Sequence, residues 1–117
     1  MKMIIAGGRD FIGQQKDFNN IVSTVYKYNI TLIVSGGAKG ADLFGEYCAE
    51  KINIPIKRFL ADWGTLGLKA GPIRNKQMAE YTDYVSLFKG GRGTDSMRRE
   101  AIKAGKIIIY DNGWKNS

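Results

Sequence analysis

Short apolar runs alternate with amphipathic segments along the whole chain. Five strands are predicted by the apolar runs Lys2–Ala6, Thr31–Ser35, Ile54–Leu60, Asp83–Phe88 and Lys106–Tyr110. Four helices are predicted. Apolar residues recur at helical spacing over Gln14–Tyr28 and Ala41–Ile52, a proline in the first turn favours a helix over Pro72–Tyr81, and Gly105 ends a helix over Thr94–Ala104. Residues Ala61–Gly71 follow neither period and are predicted to form a loop.

This alternation predicts an α/β fold. The strands are apolar throughout, as is typical of a sheet covered by helices on both faces. We therefore expect a small Rossmann-like three-layer α/β/α domain with a mostly parallel five-stranded sheet. Pro55 favours an edge position for the third strand, because proline cannot donate a ladder hydrogen bond. The domain is predicted over residues 1–110, and residues 111–117 form a polar tail whose Trp114 is a candidate to pack back onto the body.

The glycines are clustered where strands end. Fifteen glycines occur in 117 residues, and pairs or groups of them follow the first, second and fourth strands. In a parallel sheet these loops meet at one edge, where each leads into a helix that offers free N–H groups and a positive dipole end. The spacing matches neither the P-loop motif nor the GxGxxG dinucleotide fingerprint. Tight turns also need glycine, but the clusters together predict a site for an anion.

Charge supports an anionic ligand and excludes several other kinds of chemistry. Eighteen Lys and Arg against eleven Asp and Glu give a net charge of +7, which attracts anions, although it also serves solubility. The chain has no histidine and one cysteine, which excludes a Cys/His zinc site, a disulfide within the chain and a histidine-activated nucleophile. No apolar run approaches the ~18 residues needed to span a bilayer, so no membrane contact is expected. With the zinc site also excluded, we expect a cytoplasmic protein without metal or cofactor.

The predicted site joins the loops of that edge. Four cations supply positive charge: Arg9, Lys39, Arg74 and Arg92. Asp10 and Asp42 are candidates to accept hydrogen bonds from ribose hydroxyls, although Asp42 is equally explained as a first-turn charge that stabilises the helix dipole. Trp63 either stacks on a base or caps the core, and Thr94 either donates to phosphate or caps a helix. Phe11 and Cys48 are assigned to the core, and Arg98 and Arg99 to solvent. The predicted ligand-binding residues are Gly7, Gly8, Arg9, Asp10, Ser35, Gly36, Gly37, Lys39, Gly40, Asp42, Trp63, Arg74, Asn75, Gly91, Arg92, Gly93 and Thr94.

Four ordered motifs carry a family resemblance. They are Ile4–Phe11 (IIAGGRDF), Ser35–Asp42 (SGGAKGAD), Ala61–Trp63 with Ala70–Asn75 (ADW and AGPIRN), and Gly91–Thr94 (GRGT). This set resembles the YspA-type (cpYpsA-related) branch of the SLOG superfamily over residues 1–110. The resemblance implies a Rossmann-like domain that binds nucleotides or nucleotide-derived ligands. Relatives include lonely-guy phosphoribohydrolases, the DNA-processing protein A and the sensor domains of Thoeris antiphage effectors, and small free-standing members are common in phages.

One departure from that pattern bears on activity. The phosphoribohydrolases carry a PGGxGTxxE motif with a catalytic Glu, and alignment places Met97 at that position in this chain. A thioether cannot act as a general base, and Glu100 is a poor substitute. We therefore expect non-catalytic binding of an ADP-ribose-like or cyclic nucleotide signal, sequestered as a phage counter-defence protein would do in the host cytoplasm. A nucleotide N-glycosidase using Asp10, Asp42 or Glu100 and a DNA-binding protein are the alternatives. The resemblance leaves a homo-oligomer open.

Overall fold

Five parallel strands form one sheet in a computed structural model that describes residues 1–111 of the chain. The strands are β1 (Lys2–Ala6), β2 (Leu32–Ser35), β3 (Ile56–Arg58), β4 (Tyr84–Leu87) and β5 (Ile107–Asp111). Their order in the sheet is β3-β2-β1-β4-β5. The predicted α/β class and the edge position of β3 are confirmed, and every strand pair is parallel.

Helices cover both faces of the sheet, as the apolar strands require. They are α1 (Gln15–Lys27), α2 (Ala41–Lys51), α3 (Trp63–Leu66), α4 (Ala70–Tyr81) and α5 (Arg92–Lys103). Side chains of β1 alternate between the faces: Met3 and Ile5 pack with α1 and α2, whereas Ile4 and Ala6 pack with α4 and α5. Cys48 is fully buried on the first face, and Phe11 stacks on Phe88 there, so both predicted core assignments are confirmed.

Several predicted boundaries were wrong. The segment predicted as a loop contains α3, which Asp62 caps by accepting from the Thr65 N–H (3.2 Å), and then a 3-10 turn over Gly67–Lys69. Helix α4 begins at Ala70, with Pro72 in its first turn, where a missing N–H costs no hydrogen bond. Helix α5 begins two residues earlier than predicted because Gly91 is its N-cap.

The last strand runs one residue beyond the predicted domain boundary. Asp111 pairs with Leu87 in the sheet, and both of its carboxylate oxygens accept from Arg98 (2.5 Å each). Arg98 also pairs with Asp95, so it is held by two carboxylates and is not the solvated side chain that the sequence predicted. The predicted tail, including Trp114, lies outside the described residues from 112 onward.

The topology sets where a ligand can bind. From β1 the chain moves through β2 to β3 on one side, then returns to β4 and β5 on the other. Strand order therefore reverses between β1 and β4, and open α/β sheets bind ligands at the carboxyl ends of such neighbours. Within residues 1–111, no helix has the length and apolar character that crossing a membrane requires.

Candidate functional site

A cleft of about 670 Å³ opens at the carboxyl edge of the sheet, beside the junction of β1 and β4. The loops after β1 and β2 form one wall, and α3, α4 and α5 form the other. Ten of the seventeen predicted ligand-binding residues line it. They are Gly7, Arg9, Lys39, Asp42, Trp63, Arg74, Asn75, Arg92, Gly93 and Thr94.

The other seven predicted residues do not line the cleft. They are Gly8, Asp10, Ser35, Gly36, Gly37, Gly40 and Gly91. Ser35 is fully buried: its hydroxyl donates to Glu46 Oε2 (2.7 Å) and accepts from the Gly37 N–H (3.0 Å). Glu46 is also paired with Arg58. The Ser35 hydroxyl therefore stabilises the loop after β2 from inside and is not directed at a ligand. Asp10 lies on the loop after β1, where it is exposed to solvent.

Gly8 and Gly40 connect the loops behind the cleft. The Gly8 N–H donates to the Lys89 carbonyl (2.9 Å), and the Gly8 carbonyl accepts from the Ala41 N–H (3.1 Å) at the start of α2. Gly40 has φ +81°, and a Cβ there would stand 2.1 Å from the Gly8 carbonyl oxygen. These glycines thus allow the loops after β1, β2 and β4 to touch through their backbones.

Arg74 and Asn75 link the two walls. The Arg74 guanidinium donates to the carbonyls of Gly36 (2.9 Å) and Phe59 (3.3 Å) and to Asn75 Oδ1 (3.0 Å). The Asn75 amide in turn donates to Ser96 Oγ (3.1 Å) and, at 3.4 Å, to the Gly93 carbonyl of α5. Although both residues line the cleft, these hydrogen bonds join its two walls and so fix its width. Most of the Arg74 hydrogen bonds go to backbone carbonyls.

Asp42 is a buried carboxylate in the cleft wall. It is 7% exposed, and its Oδ2 accepts from the Ala38 N–H (3.2 Å). Burial raises the pKa of Asp42 from 3.8 to about 6, against the opposing effects of that hydrogen bond and of the nearby Arg74 charge. Asp42 is therefore a hydrogen-bonding group that changes charge close to neutral pH.

The first turn of α5 presents unpaired donors at the cleft. Its N-cap, Gly91, has no side chain to accept the first N–H groups, and Gly93 and Thr94 of this turn line the cleft. Thr94 is 4% exposed, and its hydroxyl oxygen has no hydrogen-bond partner among residues 1–111. Thr94 is the third residue of the helix, so the prediction that it caps the helix was wrong.

The floor of the cleft is apolar and its rim carries an aromatic ring. Met78 and Met97 form part of the floor and are 1% and 2% exposed. Trp63 is 56% exposed at the rim, with its ring edge 3.1 Å from the point where a Cβ on Gly71 would stand. Trp63 is therefore not a core cap, and its indole is available to a flat ligand group.

Arg99 is a cleft residue that the sequence analysis missed, and Glu100 entered it only as a candidate carboxylate for the glycosidase alternative. Arg99 and Glu100 lie in the middle of α5 and both line the cleft, although Arg99 was assigned to solvent. Glu100 is near Lys103, whose Nζ is 3.9 Å from Glu100 Oε2. The helical spacing from Arg92 to Arg99 is the signal that would have found Arg99, because residues seven apart share a helix face.

The exposed cations of the cleft have no ion-pair partner within the described part of the chain. Arg9, Lys39, Arg92 and Arg99 all line the cleft, and none is within 4.0 Å of a carboxylate there. By contrast, Arg58 and Arg98, which lie outside the cleft, are both paired. The unpaired positive charge of this edge is thus concentrated where the cleft opens.

Comparison with known proteins gives one informative match. The Gene 61 protein of Mycobacterium phage D29 is 32% identical over 117 residues, which cover 92% of this chain and 94% of that protein. No family model matches the chain, and no solved structure matches it.

Proposed function

For a chain that belongs to the same family as the Gene 61 protein of Mycobacterium phage D29, we propose that the cleft binds a nucleotide-derived ligand and that binding is the function. The observation that carries this proposal is the set of four cations, unpaired among residues 1–111, that line the cleft together with the uncapped first turn of α5. Phosphate is the anion that a helix N-terminus flanked by Arg and Lys accommodates best.

The remaining surfaces of the cleft suit the rest of a nucleotide. Trp63 offers a face for a base, where stacking contributes ~1–3 kcal/mol. The methionine floor offers polarisable sulfur to an aromatic ring. Asp42 offers an acceptor for ribose hydroxyls. The resemblance to the SLOG superfamily supports the same ligand class.

The same geometry favours binding without catalysis. Met97 fills the floor position where phosphoribohydrolases carry their catalytic Glu, and it packs with Met78 in the core. A small domain that holds a nucleotide signal without cleaving it lowers the free concentration of that signal. In an infected cell, lowering the concentration of the signal would counter host defence by sequestration. The phage-encoded relative is consistent with this setting.

A nucleotide N-glycosidase is the second candidate, and a specific observation keeps it open. Asp42 and Glu100 both line the cleft, and a carboxyl group with a pKa of about 6 suits general acid–base work near neutral pH. Asp10, the third carboxylate considered for this role, does not line the cleft.

One experiment on the unmodified protein separates the two candidates. Native mass spectrometry of the purified protein identifies any retained ligand, and AMP-type and ADP-ribose-type compounds are then added in excess. Binding alone predicts stoichiometric recovery of intact ligand after heat denaturation. Free base that accumulates beyond one equivalent would reject the binding proposal in favour of the glycosidase.

A double variant tests the phosphate site itself. Lys39→Ala with Arg92→Ala is expected to abolish ligand binding measured by calorimetry, because it removes one cation from each wall while leaving the core intact. Lys16→Ala with Lys76→Ala removes the same net charge from exposed positions outside the cleft and serves as the matched control. Unchanged affinity in a folded Lys39/Arg92 variant would remove the argument for a phosphate site.

A further inference from the structure

Helix α5 carries two cleft cations rather than one. Arg92 is its first residue and Arg99 its eighth, and both line the cleft. Seven residues advance a helix by about 10 Å and return to nearly the same face. Adjacent phosphates of a diphosphate are much closer together than this. The backbone positions of Arg92 and Arg99 are therefore spaced more widely than the two phosphates of a diphosphate, and the pair suits phosphates that lie further apart.

The surroundings of Arg99 set it apart from the other charges of the helix. Arg98 is held by Asp95 and Asp111, and the carboxylate of Glu100 is near the ammonium of Lys103. Unlike Asp95, Arg98, Glu100 and Lys103 of the same helix, Arg99 is exposed, lines the cleft and has no ion pair among residues 1–111, as is also true of Arg92. Its charge is thus available to a ligand.

We propose that Arg99 forms a second phosphate subsite, so that the ligand carries two phosphate groups separated by a nucleoside. This inference rests on the proposed function, because it divides the same cleft into two anion positions. The first position is the uncapped turn of α5 with Arg92 and Lys39, and the second is Arg99. A 5′-phosphorylated dinucleotide has the required chemistry, whereas a 5′-mononucleotide fills only the first position.

The test compares two probe sets on the full-length chain. Calorimetry measures affinity for the four 5′-mononucleotides and for 5′-phosphorylated dinucleotides of the same bases. The unmodified protein is expected to bind at least one dinucleotide more tightly than the corresponding mononucleotide. Arg99→Gln is expected to weaken the dinucleotide by about tenfold, the effect of losing one charge-assisted hydrogen bond, and to leave the mononucleotide unchanged.

Two further variants make the result specific. Arg92→Gln should weaken both probes, and Lys76→Gln, which removes one charge from an exposed position of α4 outside the cleft, should weaken neither. Equal loss of mononucleotide and dinucleotide affinity in Arg99→Gln would overturn the second subsite, because both arginines would then serve one phosphate. Unchanged dinucleotide affinity in Arg99→Gln would overturn it as well. Failure of the unmodified protein to bind either probe set would instead contradict the proposed function.

Discussion

Burial in the cleft wall changes the acid–base chemistry of Asp42. It stands in the first turn of α2, where its charge suits the helix dipole, yet burial makes that charge costly. The pKa of about 6 in the folded protein exceeds the usual 3.8, so the folded state holds the proton more tightly than the unfolded chain. Stability from this group is therefore complete at acid pH and is lost as pH rises through the window from 3.8 to about 6.

Asp42→Asn should remove this loss of stability. The amide keeps an oxygen for the Ala38 N–H and carries no charge to be desolvated. The variant is expected to exceed the wild type in free energy of unfolding above pH 6, by at most roughly 3 kcal/mol. The gap should narrow towards pH 4. Urea denaturation at about pH 4 and about pH 7 measures it.

The exposed carboxylate of the loop after β1 provides the comparison for that measurement. Asp10→Asn removes one negative charge from an exposed position on the same edge and serves as the matched control. If the difference in free energy of unfolding between Asp42→Asn and the wild type does not change with pH, the conclusion that burial destabilises the Asp42 charge is contradicted.

At the scale of elements, glycine-rich loops that look alike in sequence have different tasks. The loop before α2 makes its contacts within the protein: Gly40 contacts Gly8, and the Ala38 N–H donates to Asp42. At the start of α5 the first N–H groups have no hydrogen-bond partner among residues 1–111, and a Cβ at Gly93 would meet nothing within 4 Å. One loop therefore holds the cleft together, while the other leaves its donors available.

A pair of alanine substitutions should separate these tasks. Gly40→Ala is expected to cost at least about 2 kcal/mol in the free energy of unfolding, because φ is +81° and the added carbon would overlap the Gly8 carbonyl. Gly93→Ala is expected to be neutral or to stabilise by up to about 1 kcal/mol, since alanine is the better helix former. Chemical denaturation measures both effects.

Ligand affinity should reverse that order of severity. Gly93→Ala narrows the cleft at the first turn of α5 and is expected to weaken binding although it does not destabilise the fold. A Gly40→Ala protein as stable as wild type would show that the contact with Gly8 is not required.

The sequence predicted the elements better than their ends. Periodicity identified all five strands and helices α1 and α2, and proline and glycine positions marked α4 and α5. It missed α3, whose four residues have no buried side chain and depend on the Asp62 cap. It also assigned Arg74 and Ser35 to the ligand, because a sequence cannot show that Gly36, Phe59 and Glu46 already bond them. Arg99 was missed because no glycine loop marks it.

At the scale of the whole molecule, charge and topology act together. The net charge of +7 surrounds the chain with a positive potential, while the parallel sheet brings four unpaired cations to one cleft. A general positive surface would favour DNA, and a confined cleft favours a small anion. Binding of DNA and binding of a small anion differ in the number of phosphates that the protein neutralises at once.

Salt dependence distinguishes these modes of binding. Raising salt from about 50 mM to about 200 mM should weaken binding of a nucleotide with one or two phosphates by less than about tenfold, because few counterions are released. DNA held by six or more phosphate contacts would lose about a thousandfold over the same range. Fluorescence titration of both ligands at each concentration makes the comparison. Nanomolar DNA binding with that steep slope would favour the DNA-binding alternative.

The all-parallel sheet also governs how the protein can be attached to a surface or joined to a reporter. β1 begins at Lys2, on the edge opposite the cleft, and the body of the sheet, roughly 15 Å along the strands, separates the two edges. β5 ends at Asp111, on the same edge of the sheet as the cleft. Attachment to a surface or a reporter through the amino end therefore keeps the cleft open to solution.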